Sequence, residues 1–144
     1  MMRWALRAAD DLRHRARLRR WNRDEAAGRR GEDLAHRYLE RQGFLVVARN
    51  YRPPGGAGEI DLVAWDGEDL VFVEVKSRHS GEYGAPERNI GEDKIIAMTR
   101  TAHAYARRAD VPYDRIRFDV VGILLGPPPE IQHFKDAFSG TRRL

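Results

Sequence analysis

Two strand-like runs separated by a tight turn constrain the fold of this chain more than any other feature. The runs extend from Glu59 to Trp65 and from Leu70 to Ser77, and Asp66-Gly67-Glu68-Asp69 lies between them. Asp-Gly between apolar runs is a strong hairpin signal, because glycine accepts the backbone angles that a tight turn needs. If Trp65 faces Leu70 across this turn, the antiparallel register of the hairpin is fixed.

Four charged residues interrupt the otherwise apolar hairpin: Glu59, Asp61, Glu74 and Lys76. Strands that face a core seldom carry charges without a partner or a function. Because side chains alternate along a strand, Glu59 and Asp61 share one face, as do Glu74 and Lys76. The register above places Asp61 opposite Glu74 and Glu59 opposite Lys76, with all four side chains on the same face.

The predicted Asp61–Glu74 pair brings two negative charges together, since cross-strand partners lie roughly 4.5 to 5.5 Å apart at Cβ. A divalent cation removes this conflict, and carboxylates suit Mg²⁺ or Mn²⁺. Such an ion polarises a phosphodiester and activates water, while Lys76 is placed to orient that water or stabilise developing charge. The alternative is a solvated face on which Glu59 pairs with Lys76 and the other two acids are exposed. A register slip of one residue would separate Asp61 from Glu74 and remove the site.

Patterns outside the hairpin complete a mixed chain. Apolar residues recur at helical spacing from Arg30 to Gly43 and from Ile95 to Ala109, which predicts two helices. Short apolar runs predict three more strands, and Gly- and Pro-rich segments predict loops. The strands are Phe44 to Ala48, Arg115 to Leu124 and a short edge strand within Ile131 to Phe138; the main loops are Asn50 to Gly56 and Arg78 to Asn89. The order α-β-β-β-α-β, with a further last strand, indicates an α/β (α+β) fold with a mixed sheet flanked by helices.

Length and charge divide the chain into a body and a basic extension. The 144 residues fit one domain of ordinary size. Residues 1–30 carry ten arginines against four acids, a charge of +6, so the net charge of +4 leaves −2 for the remainder. We expect an extension over residues 1–29, helical or flexible, a domain over residues 30–138 and a tail over residues 139–144. The extension is either a nucleic-acid arm or a loosely ordered charged segment, with a membrane-surface helix as a third interpretation.

Composition excludes several classes of protein. The chain has no cysteine, which excludes disulfide frameworks, thiolate metal sites and cysteine nucleophiles and is compatible with a reducing cytoplasm. No apolar run is long enough to span a bilayer, and no secretory signal is visible. The five histidines lack paired ligand spacing, which disfavours zinc. We therefore expect a cytoplasmic protein without a membrane partner.

Several motifs resemble the YraN-like family of uncharacterised bacterial proteins. They are Arg30-Gly31-Glu32 with Ala35 and Tyr38-Leu39, Gly58-Glu59-Ile60-Asp61-Leu62-Val63-Ala64, Val71-Phe72-Val73-Glu74-Val75-Lys76, Lys94, and Arg117-Phe118-Asp119-Val120-Val121. The resemblance covers roughly residues 28–138. That family is similar to the restriction-endonuclease-like superfamily and to archaeal Holliday-junction resolvases. The resemblance therefore implies a three-layer nuclease fold.

The same resemblance implies a role for particular residues. Asp61 and Glu74 would be metal ligands for Mg²⁺ or Mn²⁺, Lys76 the catalytic lysine, and Glu32 a further catalytic acid reaching the metal from the first helix. An alternative for Glu32 is a first-turn acid that interacts with the helix dipole. Lys94, Arg30 and Arg78 are candidate nucleic-acid contacts, although Lys94 equally fits a solvated lysine at a helix start. Asp119, in an apolar strand, is expected to anchor Arg117 or a backbone group rather than a metal.

Three functions compete at this level. The first is a metal-dependent endonuclease acting on DNA, including branched or repair intermediates. The second is a non-catalytic nucleic-acid-binding or DNA-processing accessory protein of the same fold, whose basic extension contacts phosphates. The third is an interaction component of a larger assembly, in which an edge strand near residues 130–138 pairs with a partner or with a second copy in a homodimer.

Overall fold

The computed structural model describes residues 2–56, 58–79 and 90–139. These described residues contain two helices and five strands, with a short 3-10 turn before the fourth strand. The helices are α1 (Met2–Arg41) and α2 (Glu92–Arg108), and the strands are β1 (Leu45–Tyr51), β2 (Ile60–Asp66), β3 (Asp69–Arg78), β4 (Ile116–Leu124) and β5 (Glu130–Phe134). The predicted element order and the α+β class are confirmed. Most of the predicted 78–89 loop and of the C-terminal tail lies outside the described residues.

The five strands form one mixed sheet in the order β1-β2-β3-β4-β5. β3 and β4 are parallel, whereas the other neighbours are antiparallel. A parallel pair needs a long crossover between its strands, and here the crossover contains α2. Because β3 and β4 are parallel, their carboxyl ends lie at the same edge of the sheet. The charged residues Glu74 and Lys76 lie towards this end of β3.

Apolar side chains on the two faces of the sheet form two separate cores. On one face Leu62, Val71 and Val73 pack with Ala35 and Leu39 of α1. On the opposite face Val63, Leu70, Phe72 and Phe118 pack with Met98 and Ala102 of α2. The alternation of neighbouring β3 residues between these cores follows from the twofold side-chain period of a strand. The sheet is therefore the middle of three layers, with one helix on each face.

Helix α1 begins far before the position that apolar spacing predicted. The expected start was Arg30, but the structure has continuous helix from Met2 to Arg41. Residues 2–27 contain no glycine or proline and are rich in alanine, arginine and leucine, which are strong helix formers. The interpretation of the extension as a helix is thus the one that the backbone supports. Gly43 lies just beyond the helix with a positive φ of 92°, as the sequence predicted for a helix stop.

The hairpin register is confirmed, but the ladder is shorter than predicted. Trp65 pairs with Leu70 as expected, and pairing continues to Leu62↔Val73. It stops there, so the expected cross-strand pairs Asp61–Glu74 and Glu59–Lys76 do not form part of the sheet. β2 instead stays paired with β1 as far as Tyr51↔Ile60. Beyond Val73, β3 follows β4 alone, so the two strands of the hairpin part at their charged ends.

The remaining boundaries differ from prediction by a few residues. β1 continues to Tyr51, three residues past the expected end, and β5 is confined to Glu130–Phe134. The α2 helix and the β4 strand lie where the apolar pattern placed them. Among the described residues, no helix is long and apolar enough to cross a membrane.

Candidate metal centre

The separation of β2 from β3 leaves backbone donors of β3 without a strand partner, and Asp61 takes one of them. The N–H of Val75 donates to Asp61 Oδ2 over 2.8 Å. A carboxylate that accepts a backbone N–H has a fixed orientation, since the donor belongs to the sheet. The opening between the strands therefore both admits the Asp61 side chain and holds it in place.

Glu74 directly precedes Val75 on β3 and is the most buried acid of the site. Its side chain is 11 % exposed, and Oε1 lies 3.2 Å from Nζ of Lys94 at the start of α2. Its other oxygen, Oε2, is buried and has no hydrogen-bond partner among the described residues. A buried carboxylate oxygen without a donor is costly, because water no longer compensates its charge. Glu74 is thus only half neutralised.

Two further acids complete a carboxylate cluster with Asp61. Oxygens of Glu32, Glu59 and Asp61 lie within 4.8 Å of one another. Glu59 accepts from Nε and a terminal nitrogen of Arg52, at 3.2 and 2.9 Å. Glu32 lies 3.8 Å from a terminal nitrogen of Arg49. Each outer acid therefore has an arginine beside it, whereas Asp61 accepts from the backbone N–H of Val75.

The position of Glu32 depends on a close approach between α1 and β3. Gly31 faces Ser77, and a Cβ built on this glycine would overlap Ser77 Oγ and lie 2.7 Å from Ser77 Cβ. Only a residue without a side chain allows the helix to pack this near to the strand. This contact brings the neighbouring Glu32 over the ends of β2 and β3.

Burial and mutual repulsion shift the protonation of the two inner acids. Burial raises the pKa of Asp61 to about 7, and the charges of Glu74 and Glu32 add to this effect against the opposing Val75 N–H and Lys94. Burial also raises the pKa of Glu74, although Lys94 and Lys76 act in the opposite direction. Near neutral pH this part of the molecule therefore retains a proton unless a cation takes its place.

These side chains line a pocket of about 320 Å³ at the edge of the sheet. Helix α1 contributes Ala27, Gly28 and Glu32 to the lining, and β2 contributes Asp61. The rest of the lining comes from β3 and the residue after it: Glu74, Val75, Ser77, Arg78 and His79. The lining thus combines three carboxylates with one arginine.

The structure brings six of the seven residues singled out from the sequence to the pocket or to its acids. Glu32, Asp61 and Glu74 meet in the pocket, and the charge of Lys76 acts on Glu74. Of the candidate nucleic-acid contacts, Arg78 lines the pocket and Lys94 binds Glu74. Arg30 is exposed on α1, outside the lining of the pocket.

Sequence reasoning missed the arginines of the site and the partner of Glu74. Arg49 and Arg52 belong to β1 and the loop after it, where spacing gives no sign that they reach Glu32 and Glu59. Lys94 is twenty residues away from Glu74 in the sequence, so no local pattern connects them. Glu59 had been expected opposite Lys76 but lies just before β2 and binds Arg52. The only sequence signal for these contacts was the presence of Arg49 and Arg52 shortly before the acidic motif at Glu59 and Asp61.

Asp119 forms a second buried acidic centre, on β4. It accepts from Nε and a terminal nitrogen of Arg117, both at 2.9 Å, and from the N–H of Asp136 at 3.0 Å. His133 Nε2 lies 2.7 Å from its Oδ2, and the same ring contacts the Tyr38 hydroxyl at 3.2 Å through Nδ1. The prediction that Asp119 anchors Arg117 and a backbone group is confirmed.

Comparison with known proteins places the centre within a recognised family. The model of the uncharacterised protein family UPF0102 matches residues 31–123, which include every acid of the pocket. A UPF0102 protein of Solibacter usitatus is 51% identical over 132 residues, covering 92% of this chain and 96% of the relative. Relatives from Rhodococcus opacus and Anaeromyxobacter dehalogenans are each 43% identical, over 115 and 120 residues. They cover 78% and 83% of this chain, and 96% and 88% of their own. The predicted YraN-like resemblance is thereby confirmed.

Proposed function

Since the chain belongs to the uncharacterised protein family UPF0102, we infer its chemistry from its own side chains and propose that it is a divalent-metal-dependent endonuclease. The bond hydrolysed is a phosphodiester of DNA, in branched or repair-type structures. Mg²⁺ or Mn²⁺ is the cofactor proposed.

The observation that carries this proposal is the unsatisfied charge at the parting of β2 and β3. Within the part of the chain that the structure describes, Glu74 Oε2 is buried without a donor, and the pKa of the neighbouring Asp61 is raised to about 7. A structural ion-pair network would pair these oxygens instead. Hard carboxylate oxygens are the donors that Mg²⁺ and Mn²⁺ prefer, so the donor set fits such an ion. Asp61, with Glu32 and Glu59, would hold it, and Glu74 would join them once it leaves Lys94.

The metal, when bound, supplies a polarised phosphate and a water of lowered pKa. The residues of the chain supply the orientation. Val75 N–H fixes Asp61 at one end of the centre, and the Gly31–Ser77 contact fixes Glu32 at the other. Lys76 lies two residues after Glu74 on β3. We propose that its ammonium holds the attacking water or stabilises negative charge on the phosphate.

The resemblance to the restriction-endonuclease-like superfamily supports the same reaction. By that resemblance, Asp61, Glu74 and Lys76 would correspond to the acidic and lysine residues of that superfamily. A central mixed sheet with one helix on each face is compatible with its three-layer architecture. Because a fold alone does not define a function, the pocket is the main support for this proposal.

The test is cleavage of DNA by the purified full-length protein with Mg²⁺ or Mn²⁺. Junction, flap and single-stranded substrates are compared, and EDTA should stop the reaction. Asp61→Asn and Glu74→Gln should each lower the rate at least roughly a hundredfold, the effect expected from losing a group that holds the catalytic ion. Glu68→Gln is the matched control, because Glu68 is an exposed acid at the tip of the same hairpin.

The outcomes separate this function from the accessory-protein alternative. Metal-dependent cutting that both pocket variants lose, and the control keeps, supports the nuclease. Cutting that survives Asp61→Asn and Glu74→Gln would contradict it. Salt-sensitive DNA binding without cutting of any substrate favours the accessory role, for which the basic residues of α1 are the supporting observation.

A further inference from the structure

Helix α1 extends well beyond the body of the protein. Ala27 is the first of its described residues that packs against the core of the α1 face. Before it, Glu25 and Ala26 are exposed, and so are the four described side chains from Leu12 to Arg15. Leu12 is 66% exposed, although an apolar side chain on a packed helix would be covered. We call residues 2–26 the N-terminal arm.

The charge of the N-terminal arm is opposite to that of the pocket. Residues 1–30 hold ten arginines and four acids, and the arginines recur three or four residues apart, as in Arg13, Arg17 and Arg20. The pocket that follows presents Glu32, Asp61 and Glu74. Such acids repel a phosphate backbone, so binding of a nucleic acid there needs cationic contacts outside the pocket.

The two regions meet at one place on α1. Ala27 and Gly28, the residues directly after the N-terminal arm, line the acidic pocket. A strand bound at the pocket therefore lies beside the root of the arm. With a rise of about 1.5 Å per residue, 25 residues of helix extend roughly 37 Å. At about 3.4 Å per base pair, this length corresponds to roughly eleven base pairs, or one turn of duplex.

We propose that the N-terminal arm binds the phosphate backbone of a duplex flank, about ten base pairs long, on one side of the bond held at the pocket. This proposal rests on the proposed nuclease function and adds a requirement to its substrate: a double-stranded flank that reaches along the arm. Arginine is well suited to this role because its planar guanidinium forms paired hydrogen bonds with phosphate oxygens.

A membrane surface is a poorer match for the same arm. Its large apolar residues are Trp4, Leu6, Leu12, Leu18 and Trp21. At about 100° per residue these five positions spread over roughly 240° of the helix circumference, which is wider than the single apolar face that a membrane surface requires. The backbone of a nucleic acid needs no such face.

The experiment measures binding rather than cleavage, in EDTA, with the full-length protein and labelled duplexes of 6 to 20 base pairs. The variant combines Arg17→Gln, Arg20→Gln and Arg23→Gln. The matched control combines Arg37→Gln, Arg41→Gln and Arg108→Gln, which remove the same charge from the body. Each protein is titrated at several salt concentrations, and phosphatidylserine–phosphatidylcholine vesicles serve as a competing anionic surface.

We expect the affinity of the wild-type protein to rise steeply up to about ten base pairs and only slightly thereafter. The arm variant should lose this length dependence, and the slope of log affinity against log salt should become shallower by roughly two to three, about 0.9 for each lost phosphate contact. The control should keep both properties. Equal length dependence and salt slope for the two variants would overturn the proposal, as would arm-dependent binding to vesicles but not to duplexes. This binding assay does not depend on cleavage. A protein that binds duplexes in this way but cuts no substrate in the separate cleavage assay would refute the nuclease and leave the proposal for the arm intact.

Discussion

Two buried acidic centres lie on neighbouring strands of the same sheet, and they differ in how their charge is satisfied. Asp119 on β4 is fully buried and accepts hydrogen bonds from Arg117 and the backbone of Asp136, with His133 at hydrogen-bond distance. Burial alone would raise the pKa of Asp119, but these partners outweigh burial and lower it. Asp61 and Glu74 have fewer donors, and the pKa of each is raised.

This difference separates a structural carboxylate from one that is ready for a ligand. Asp119 holds β4, β5 and the segment after β5 together, and its bonding capacity is used inside the protein. The Asp61–Glu74 centre opens on a pocket, and Glu74 Oε2 has no hydrogen-bond partner among the residues that the structure describes. Perturbed carboxyls in a pocket are frequent at functional sites, whereas saturated ones are frequent in cores. Variants of Asp119, Asp61 and Lys94 test this difference.

The largest expected effect is loss of stability on removal of Asp119. Asp119→Ala leaves Arg117 and His133 without their buried acceptor, although Arg117 keeps Asp66 at 2.9 Å. Breaking a buried charge pair in this way costs about 3 to 5 kcal/mol of the free energy of unfolding. Urea denaturation of the variant measures it. A loss below about 1 kcal/mol would show that Asp119 is not the structural member of the comparison.

An intermediate effect is expected from Asp61→Asn in metal-free buffer. Because the pKa of Asp61 is raised to about 7 in the folded state, the folded protein binds this proton more tightly than the unfolded chain. Stability from this group is therefore present at low pH and is lost as pH rises from about 4 to about 7. The asparagine variant keeps an acceptor for Val75 N–H without the charge, so it should be more stable than wild type at pH 8, by on the order of 3 kcal/mol.

Thermal unfolding between pH 4 and pH 8 measures this difference, with EDTA present. The advantage of Asp61→Asn should vanish near pH 4, and Mn²⁺ should raise the melting temperature of the wild-type protein but not that of the variant. A wild-type protein that becomes more stable relative to Asp61→Asn as the pH rises would contradict the assignment of Asp61 as the unsatisfied acid.

The smallest effect is expected at Lys94, which is 46% exposed. Its ammonium lies 3.2 Å from one oxygen of Glu74 and would therefore compete with the proposed divalent cation. Lys94→Gln should cost no more than about 1 kcal/mol of stability, as for other partly exposed ion pairs. The same change should increase the affinity for Mn²⁺ by roughly two- to fivefold, measured by titration calorimetry.

The control for this prediction is Lys135→Gln, which alters an exposed lysine on the opposite part of the sheet. Unchanged or weaker Mn²⁺ binding in Lys94→Gln would mean that Lys94 does not compete for the site.

Local pattern was sufficient for much of the fold. The Asp-Gly turn set the pairing of Trp65 with Leu70, since turn type determines register in a hairpin. The 3.6-residue repeat from Ile95 to Ala109 located α2. The full length of α1 was only partly predicted, because residues 1–29 were expected to form a separate extension, helical or flexible, before a helix that starts at Arg30.

The candidate site was predictable in its location and not in its contacts. Asp61, Glu74 and Lys76 were identified because charges in an apolar strand are unusual. The end of the β2–β3 ladder was not predicted, because the Asp61 side chain, rather than a strand, accepts the hydrogen bond from Val75 N–H. The pairs Glu74–Lys94 and Glu59–Arg52 depend on how helix and loop fold back over the sheet, which spacing along one strand does not contain.

The close approach of Gly31 to Ser77 has a consequence for how members of this family differ from one another. A methyl group at residue 31 requires space that Ser77 occupies, so the two positions are expected to change in concert: a larger residue at one should accompany a glycine at the other. Because Glu32 follows directly, relatives that lack this compensation would carry the same acids at a different separation. Clearance between one helix and one strand, rather than the identity of the acids alone, would then decide which ion such a relative accommodates.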